Sequence, residues 1–192
     1  MPAPNSAAFE YLRNRRSHPA KLFSGPVPDR DALIAILTAA TRVPDHGKLE
    51  PWRLVVVDAP VMARLSVQAA AHAQSIGADA EQTAKARGQF DLGRLAVVVI
   101  SSPKPSPKVP VIEQVLSAGA LCMNIVHAAS AAGWGANWLT GWPSHDAAFI
   151  ATAFGCTPLE TVVGIVHIGS PGPDGADRPR PDLRALITWA AP

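Results

Sequence analysis

Three short stretches of the sequence gather side chains able to bind or orient a ligand. The first is Arg15-Arg16-Ser17. Two guanidiniums and a hydroxyl at a helix end can grip a phosphate, because guanidinium donors match phosphate oxygens two at a time. A solvated helix end would have the same composition. The second is Arg42 to Arg53 (RVPDHGKLEPWR), which carries Arg42, His46 and Lys48 between an apolar helical pattern and an apolar strand pattern. Loops held between rigid elements are where binding groups are commonly placed; the plain alternative is a connector with proline at its corners. The third is Gly133 to Pro143 (GWGANWLTGWP), with Trp134, Trp138 and Trp142 interleaved with glycine. Tryptophan clusters usually fill cores, but neighbouring glycines let a flat ligand approach the backbone.

Other chemistries are poorly provided for. GxGxxG, GxxxxGK[ST], HExxH and GxSxG are all missing, which removes the common dinucleotide, P-loop, zincin and hydrolase-elbow signatures. His18, His46, His72, His127, His145 and His167 lack ligand spacing, and Cys122 and Cys156 form no CxxC, so no metal site is expected.

The elements that must position these stretches follow from periodicity. Residues 7–14 read as a short helix with Phe9 and Leu12, running directly into Arg15. A second helix starts at Pro28-Asp29 and repeats Leu33, Ile34, Leu37, Ala40 and Thr41 until Pro44 expels its predecessor from helical geometry. WRLVVVD (52–58) and LAVVVIS (95–101) are continuous apolar runs, expected as central strands covered on both faces. Between them, 60–89 suits two helices parted near Gly77. Residues 102–110 hold four prolines and two lysines and predict a solvated loop. Residues 112–132 predict a helix apolar around most of its circumference, which belongs inside a protein or a dimer. Residues 135–142 predict a strand and turn, 146–154 a helix and 161–169 a fourth strand. Residues 169–181 read as Gly/Pro-rich and extended, and 183–189 as a short packed arm. This order gives an α+β or three-layer α/β/α domain.

A chain of 192 residues suits one domain spanning 1–192 with a substantial core. An apolar fraction of 48% against 17% charged residues leaves more apolar surface than a small domain hides, which points to a subunit interface. A formal net charge of +2 gives no general attraction to nucleic acid or to an anionic membrane. With two cysteines, no apolar leader at 1–16 and polar interruptions in 115–132, a cytoplasmic protein without membrane spans is the expectation.

In this order and separation, the three stretches resemble the FMN-dependent nitroreductase superfamily, in its short single-domain bacterial branch. The resemblance spans nearly the whole chain. It is carried by RRS, VPDHGKLEPWR, the helix EQVLSAGALCMNIVHAASAAGWGANW, and VVGIVHIGSP followed by RPRP. It implies a nitroreductase-like three-layer sandwich with a mixed sheet of about four to five strands around a central apolar helix. It also implies a homodimer with FMN at the interface, and NADPH or NADH donating hydride by a ping-pong route to a planar acceptor such as a nitroaromatic or quinone. The flavin carries the redox chemistry, so no catalytic acid or base in the protein is required. By this resemblance Arg15, Arg16 and Ser17 hold the FMN phosphate and ribityl chain, and Arg180 lies near the phosphate. Arg42, His46 and Lys48 serve a flavin whose phosphate the other subunit holds, and Trp138, Leu139 and Thr140 lie along the isoalloxazine. Two positions depart from the family pattern. Asp45 to Glu50 replaces a common Ser-Ser-x-Asn-x-Gln, and Leu139 stands where close relatives often have arginine. The same scaffold also serves dehalogenation, enone reduction and oxidative flavin chemistry, and a non-catalytic flavin-binding dimer is a further alternative.

Overall fold

A computed structural model of the chain describes residues 3–173 and 179–190. Residues 174–178, within the expected Gly/Pro-rich extended stretch, lie outside the described residues. In chain order the elements are α1 (Ser6–Asn14), α2 (Arg30–Ala40), β1 (Trp52–Asp58), α3 (Ala59–Ser75), α4 (Ala80–Asp91), β2 (Leu95–Ser101), α5 (Val111–Ala131), β3 (Gly135–Leu139), α6 (Ala147–Phe154), β4 (Thr161–Gly169) and α7 (Leu183–Leu186). Helix starts are set by side chains that accept the orphan N–H groups of a first turn. Asn5 accepts from Ala8 N at 3.0 Å, Asp29 from Ala32 N at 2.9 Å and Asp146 from Phe149 N at 2.8 Å. Backbone donation from Phe149 heads the causes that hold the Asp146 carboxyl below its ordinary range.

The strand order is β1-β2-β4-β3, and every neighbouring pair among the described residues is antiparallel. The expected mixed sheet is therefore corrected to an antiparallel one of four strands. The connections explain it. Two helices separate β1 from β2, so the chain returns reversed, whereas the single helix α5 separates β2 from β3 and makes those two parallel, with β4 between them. The expectation that 52–58 is central also fails. β1 is an edge strand and Val56 is exposed, while all seven residues of β2 are buried.

Alternation along β2 divides the core into two. Ala96, Val98 and Ile100 face α3, α4 and α6, together with Val57, Leu65, Phe90, Phe149 and Ile165. Leu95, Val97 and Val99 face α2 and α5, with Leu33, Ile36, Leu121, Ile125, Val166 and Ile168. The expected α/β/α layering follows directly. By length and composition α5 could cross a membrane, yet Ala118, Leu121, Cys122, Ile125 and Ala129 are wholly buried, as in a core helix. Burial pushes the Cys122 thiol up to about 12. The opposite face of α5 leaves Ile112 and Leu116 exposed, and Val111 is exposed at the start of the helix. The terminal arm does not pack as expected: Leu183, Leu186 and Trp189 are exposed, Trp189 by 87%.

Candidate functional site

The segment after α1 is fastened to the start of β3. His18 N donates to Ala136 O at 3.1 Å and Asn137 Nδ2 donates to His18 O at 3.0 Å. At the same end of the molecule, Tyr11 Oη donates to the His127 carbonyl near the end of α5 at 2.7 Å. Between these ties opens a cavity of about 480 Å³ whose walls include Arg15, Arg16, His18, Trp134 and Arg180. Its positive charge is concentrated by the fold, since the chain as a whole carries only +2. Burial, with a smaller contribution from the Arg15 charge, holds the adjacent His127 imidazole below its ordinary pKa.

Arg15 Nη1 is buried and has no hydrogen-bond partner among the described residues. A buried charged donor without an acceptor is costly, and bound anionic oxygen removes the cost. Arg180 donates through Nη2 to the Arg13 carbonyl, which brings the late arginine across to the α1 end. An adjacent pair, Arg15 and Arg16, and the sequence-distant Arg180 thus line one cavity. The arrangement suits a phosphate dianion.

The third stretch leads away from this cavity along β3, an edge strand among the described residues. Four strand steps, about 13 Å, separate Gly135 from Leu139. Trp138 Nε1 donates to Val163 O at 3.3 Å, and the indole lies on Gly164, where an ideal Cβ would come within 2.1 Å of the Trp138 ring nitrogen. Only glycine fits there. Trp138 and Thr140 stay exposed and Leu139 half-buried beside the open strand edge. Trp142, by contrast, is structural: it stacks on His72 and donates to Gln82 O at 3.2 Å.

The second stretch lies at the other end of α5. His46 Nδ1 meets Glu113 Oε2 at 2.7 Å, and both line a cavity of about 300 Å³ with Pro44, Leu116, Ser117 and Ala120. Asn124 Nδ2 donates to the Ala40 and Arg42 carbonyls, fixing where the loop leaves α2. Arg42 and Lys48 are exposed. From Glu113 to Ser130, on the wall of the basic cavity, is about 25 Å along the helix. One chain therefore brings Arg15, Arg16 and Arg180 together and places Trp138, Leu139 and Thr140 along the adjoining edge, but keeps His46 at the far end of α5, while Arg42 meets the helix between the two ends, at Asn124. Ser17 is exposed and is not among the residues lining the basic cavity.

Tyr11 and His18 of the first cavity and Glu113 of the second are not among the candidate ligands the sequence offers, while Trp134, expected within the tryptophan stretch, lines the first cavity. His18 directly follows Ser17, so adjacency to the arginine pair was a usable signal. Glu113 carried none, because its partner lies 67 residues away. Arg53 closes the second stretch and is wholly structural: it donates to Glu160 Oε1 at 2.8 Å and to the Phe154 and Gly155 carbonyls. Its guanidinium holds the Glu160 carboxyl down to about 2.

A model of the nitroreductase family matches residues 12–170. The Escherichia coli protein YdjA, provisionally named an NAD(P)H nitroreductase, is 34% identical over 164 residues, 85% of this chain and 88% of that one. Among solved structures, a nitroreductase-like family protein from Bacillus cereus superposes with a TM-score of 0.79 at 22% identity, covering 99% of this chain and 98% of the other. A Desulfovibrio desulfuricans protein, provisionally described as a nitroreductase and solved in complex with FMN, gives a TM-score of 0.73 at 20% identity and covers both chains fully. The structural likeness bears on the fold, while the family match and the sequence identity to YdjA bear on descent: the chain belongs to the nitroreductase family.

Proposed function

We propose that residues 1–192 form one FMN-binding domain of a homodimeric NAD(P)H oxidoreductase that reduces planar acceptors such as nitroaromatics or quinones. The observation that carries this reading is the buried Nη1 of Arg15, without a hydrogen-bond partner among the described residues, in a cavity that also presents Arg16 and Arg180. Those arginines bind the FMN phosphate. When bound, FMN supplies the redox chemistry, taking two electrons from the nicotinamide and passing them to the acceptor in a separate step.

The chain's own residues bind, orient and shield. Backbone groups near Trp138, Leu139 and Thr140 on the open edge of β3 would hold the ribityl chain and ring. Trp138, flattened on Gly164, forms an apolar wall. Arg42, His46 and Lys48 reach this flavin from a second copy. Two copies of α5 packed antiparallel through the exposed face of Ile112 and Leu116 place the Glu113 end of one against the Ser130 end of the other, which spans the separation found within one chain. Positive charge from Lys48 or Arg42 would then complement negative charge on a bound ring. The reading places the protein in the cytoplasm, apart from nucleic acid and membranes.

The test is spectroscopic and kinetic. The purified protein is expected to be yellow, to bleach on anaerobic addition of NADPH or NADH, and to recover colour when a nitroaromatic or quinone is added. Initial rates against both substrates are expected to give parallel double-reciprocal lines. A colourless protein that takes up no FMN overturns the reading, and intersecting lines overturn the shared pocket.

A further inference from the structure

We infer that Glu113 is a positioning residue for His46, fixing the proton on Nδ1 and leaving Nε2 as the ring atom presented to the flavin. The inference rests on the reading of His46 as a flavin ligand and assigns a role to a residue outside that ligand set. An ionised carboxylate only accepts hydrogen bonds, so the 2.7 Å contact between Glu113 Oε2 and His46 Nδ1 makes Nδ1 the donor. In the neutral ring Nε2 then carries a lone pair and accepts from the ligand. Without the carboxylate the ring is free to rotate and to exchange tautomers.

Both partners are held by the backbone around them. Asp45 accepts from Leu49 N at 3.1 Å and from Glu50 N at 2.8 Å, folding the loop tightly around His46. That loop contains Gly47 at φ 76°, Lys48 at φ 52° and Glu50 at φ 46°. Two non-glycine residues in left-handed backbone within three positions is a strained arrangement, of a kind that concentrates at ligand sites. Glu113 sits in the first turn of α5. Its neighbour Gln114 clamps the preceding loop by accepting from Lys104 N at 2.8 Å and donating to Lys104 O at 3.1 Å. Val109 of that loop lies 3.6 Å from the position of a Cβ on Gly47, so the two segments are packed together. The carboxylate and the imidazole both remain largely exposed in the single chain, at 46% and 57% for their side chains. Such a pair contributes little to stability. Its consequence is orientation, as for other histidines whose second nitrogen is fixed by a carboxylate.

The test is a double-mutant cycle on FMN affinity, read as flavin fluorescence released on dilution of the purified flavoprotein. His46→Ala and Glu113→Ala are each expected to raise the Kd roughly three- to tenfold, and the double variant is expected to match His46→Ala alone. Additive losses, or no change with Glu113→Ala, overturn the positioning role while leaving His46 a ligand. No change with His46→Ala overturns the ligand reading on which it rests. A second readout is independent of affinity: 15N spectra of histidine-labelled holoprotein, with His46 identified by its disappearance in His46→Ala. The neutral ring is expected to be protonated at Nδ1 in the wild type and to shift partly to Nε2 in Glu113→Ala. The same proton distribution in both overturns the inference.

Discussion

Arg15 and Arg53 are both partly buried guanidiniums, yet their surroundings differ in one respect. Arg53 spends its donors on the protein: two bonds to the Glu160 carboxylate, two to backbone carbonyls and a contact to Cys156 Sγ at 3.7 Å. It fastens β1 to the segment that follows α6. Arg15 keeps a buried Nη1 with no acceptor among the described residues, in a cavity that also gathers Arg16 and Arg180. The contrast separates a structural arginine from one proposed to bind by hydrogen-bond accounting, without reference to sequence position. Arg53 stands in the very loop that looked functional, which shows that proximity to a motif is the weaker guide.

The largest effect expected from this contrast is on Arg53. Arg53→Ala leaves Glu160, which is 9% exposed, as an unpaired carboxylate and is expected to cost about 3 kcal/mol of stability. For a chain of this size that lowers Tm by about 6 to 12 °C. FMN affinity of the folded fraction is expected to stay within about twofold of wild type. Calorimetry and flavin titration on the same preparation check both halves.

Acid sharpens the same comparison. Glu160 has a folded pKa of about 2 against an ordinary 4.5, so its stabilisation is complete above about 4.5 and is lost as pH falls toward 2. Buried His167 behaves differently. Burial lowers it to about 4 from 6.5, so the unfolded state binds the extra proton and stability falls as pH drops from 6.5 to 4. Each group contributes on the order of 2 to 3 kcal/mol. Urea midpoints measured from pH 7 to pH 3 are expected to fall in two stages, the lower one vanishing in Arg53→Ala and the upper one in His167→Leu.

Arg180 falls between the two arginines, since one of its donors is already used on the Arg13 carbonyl. Arg180→Ala is expected to weaken FMN binding by no more than about fivefold, with Tm unchanged. A loss as large as that of Arg15→Ala would show that the two act on the phosphate as equals.

How much of this was legible in sequence depended on the range of the interaction. Helix starts at Asp29 and Asp146, the buried run of β2 and the long apolar α5 follow from caps and periodicity, which are local. The antiparallel sheet and the edge position of β1 depend on how the α3 and α4 pair reverses the chain, and apolar runs do not encode strand order. The basic cavity was half legible: Arg15-Arg16 is a local pair and the family resemblance places Arg180 beside it, but the contribution of Tyr11 is a tertiary fact. The pairing of Glu113 with His46, and of Arg53 with Glu160, crosses 67 and 107 residues, and no spacing rule spans those distances.

The most direct measurement compares FMN with riboflavin, which carries the same ring and no phosphate. Fluorescence titration of both into wild-type protein and Arg15→Ala isolates the phosphate contribution. If Arg15 holds the phosphate, its removal costs about 1.5 to 3 kcal/mol of FMN affinity, roughly ten- to a hundredfold, and leaves riboflavin affinity within about twofold. Equal weakening of both flavins, or of neither, contradicts the assignment of the basic cavity to the cofactor phosphate.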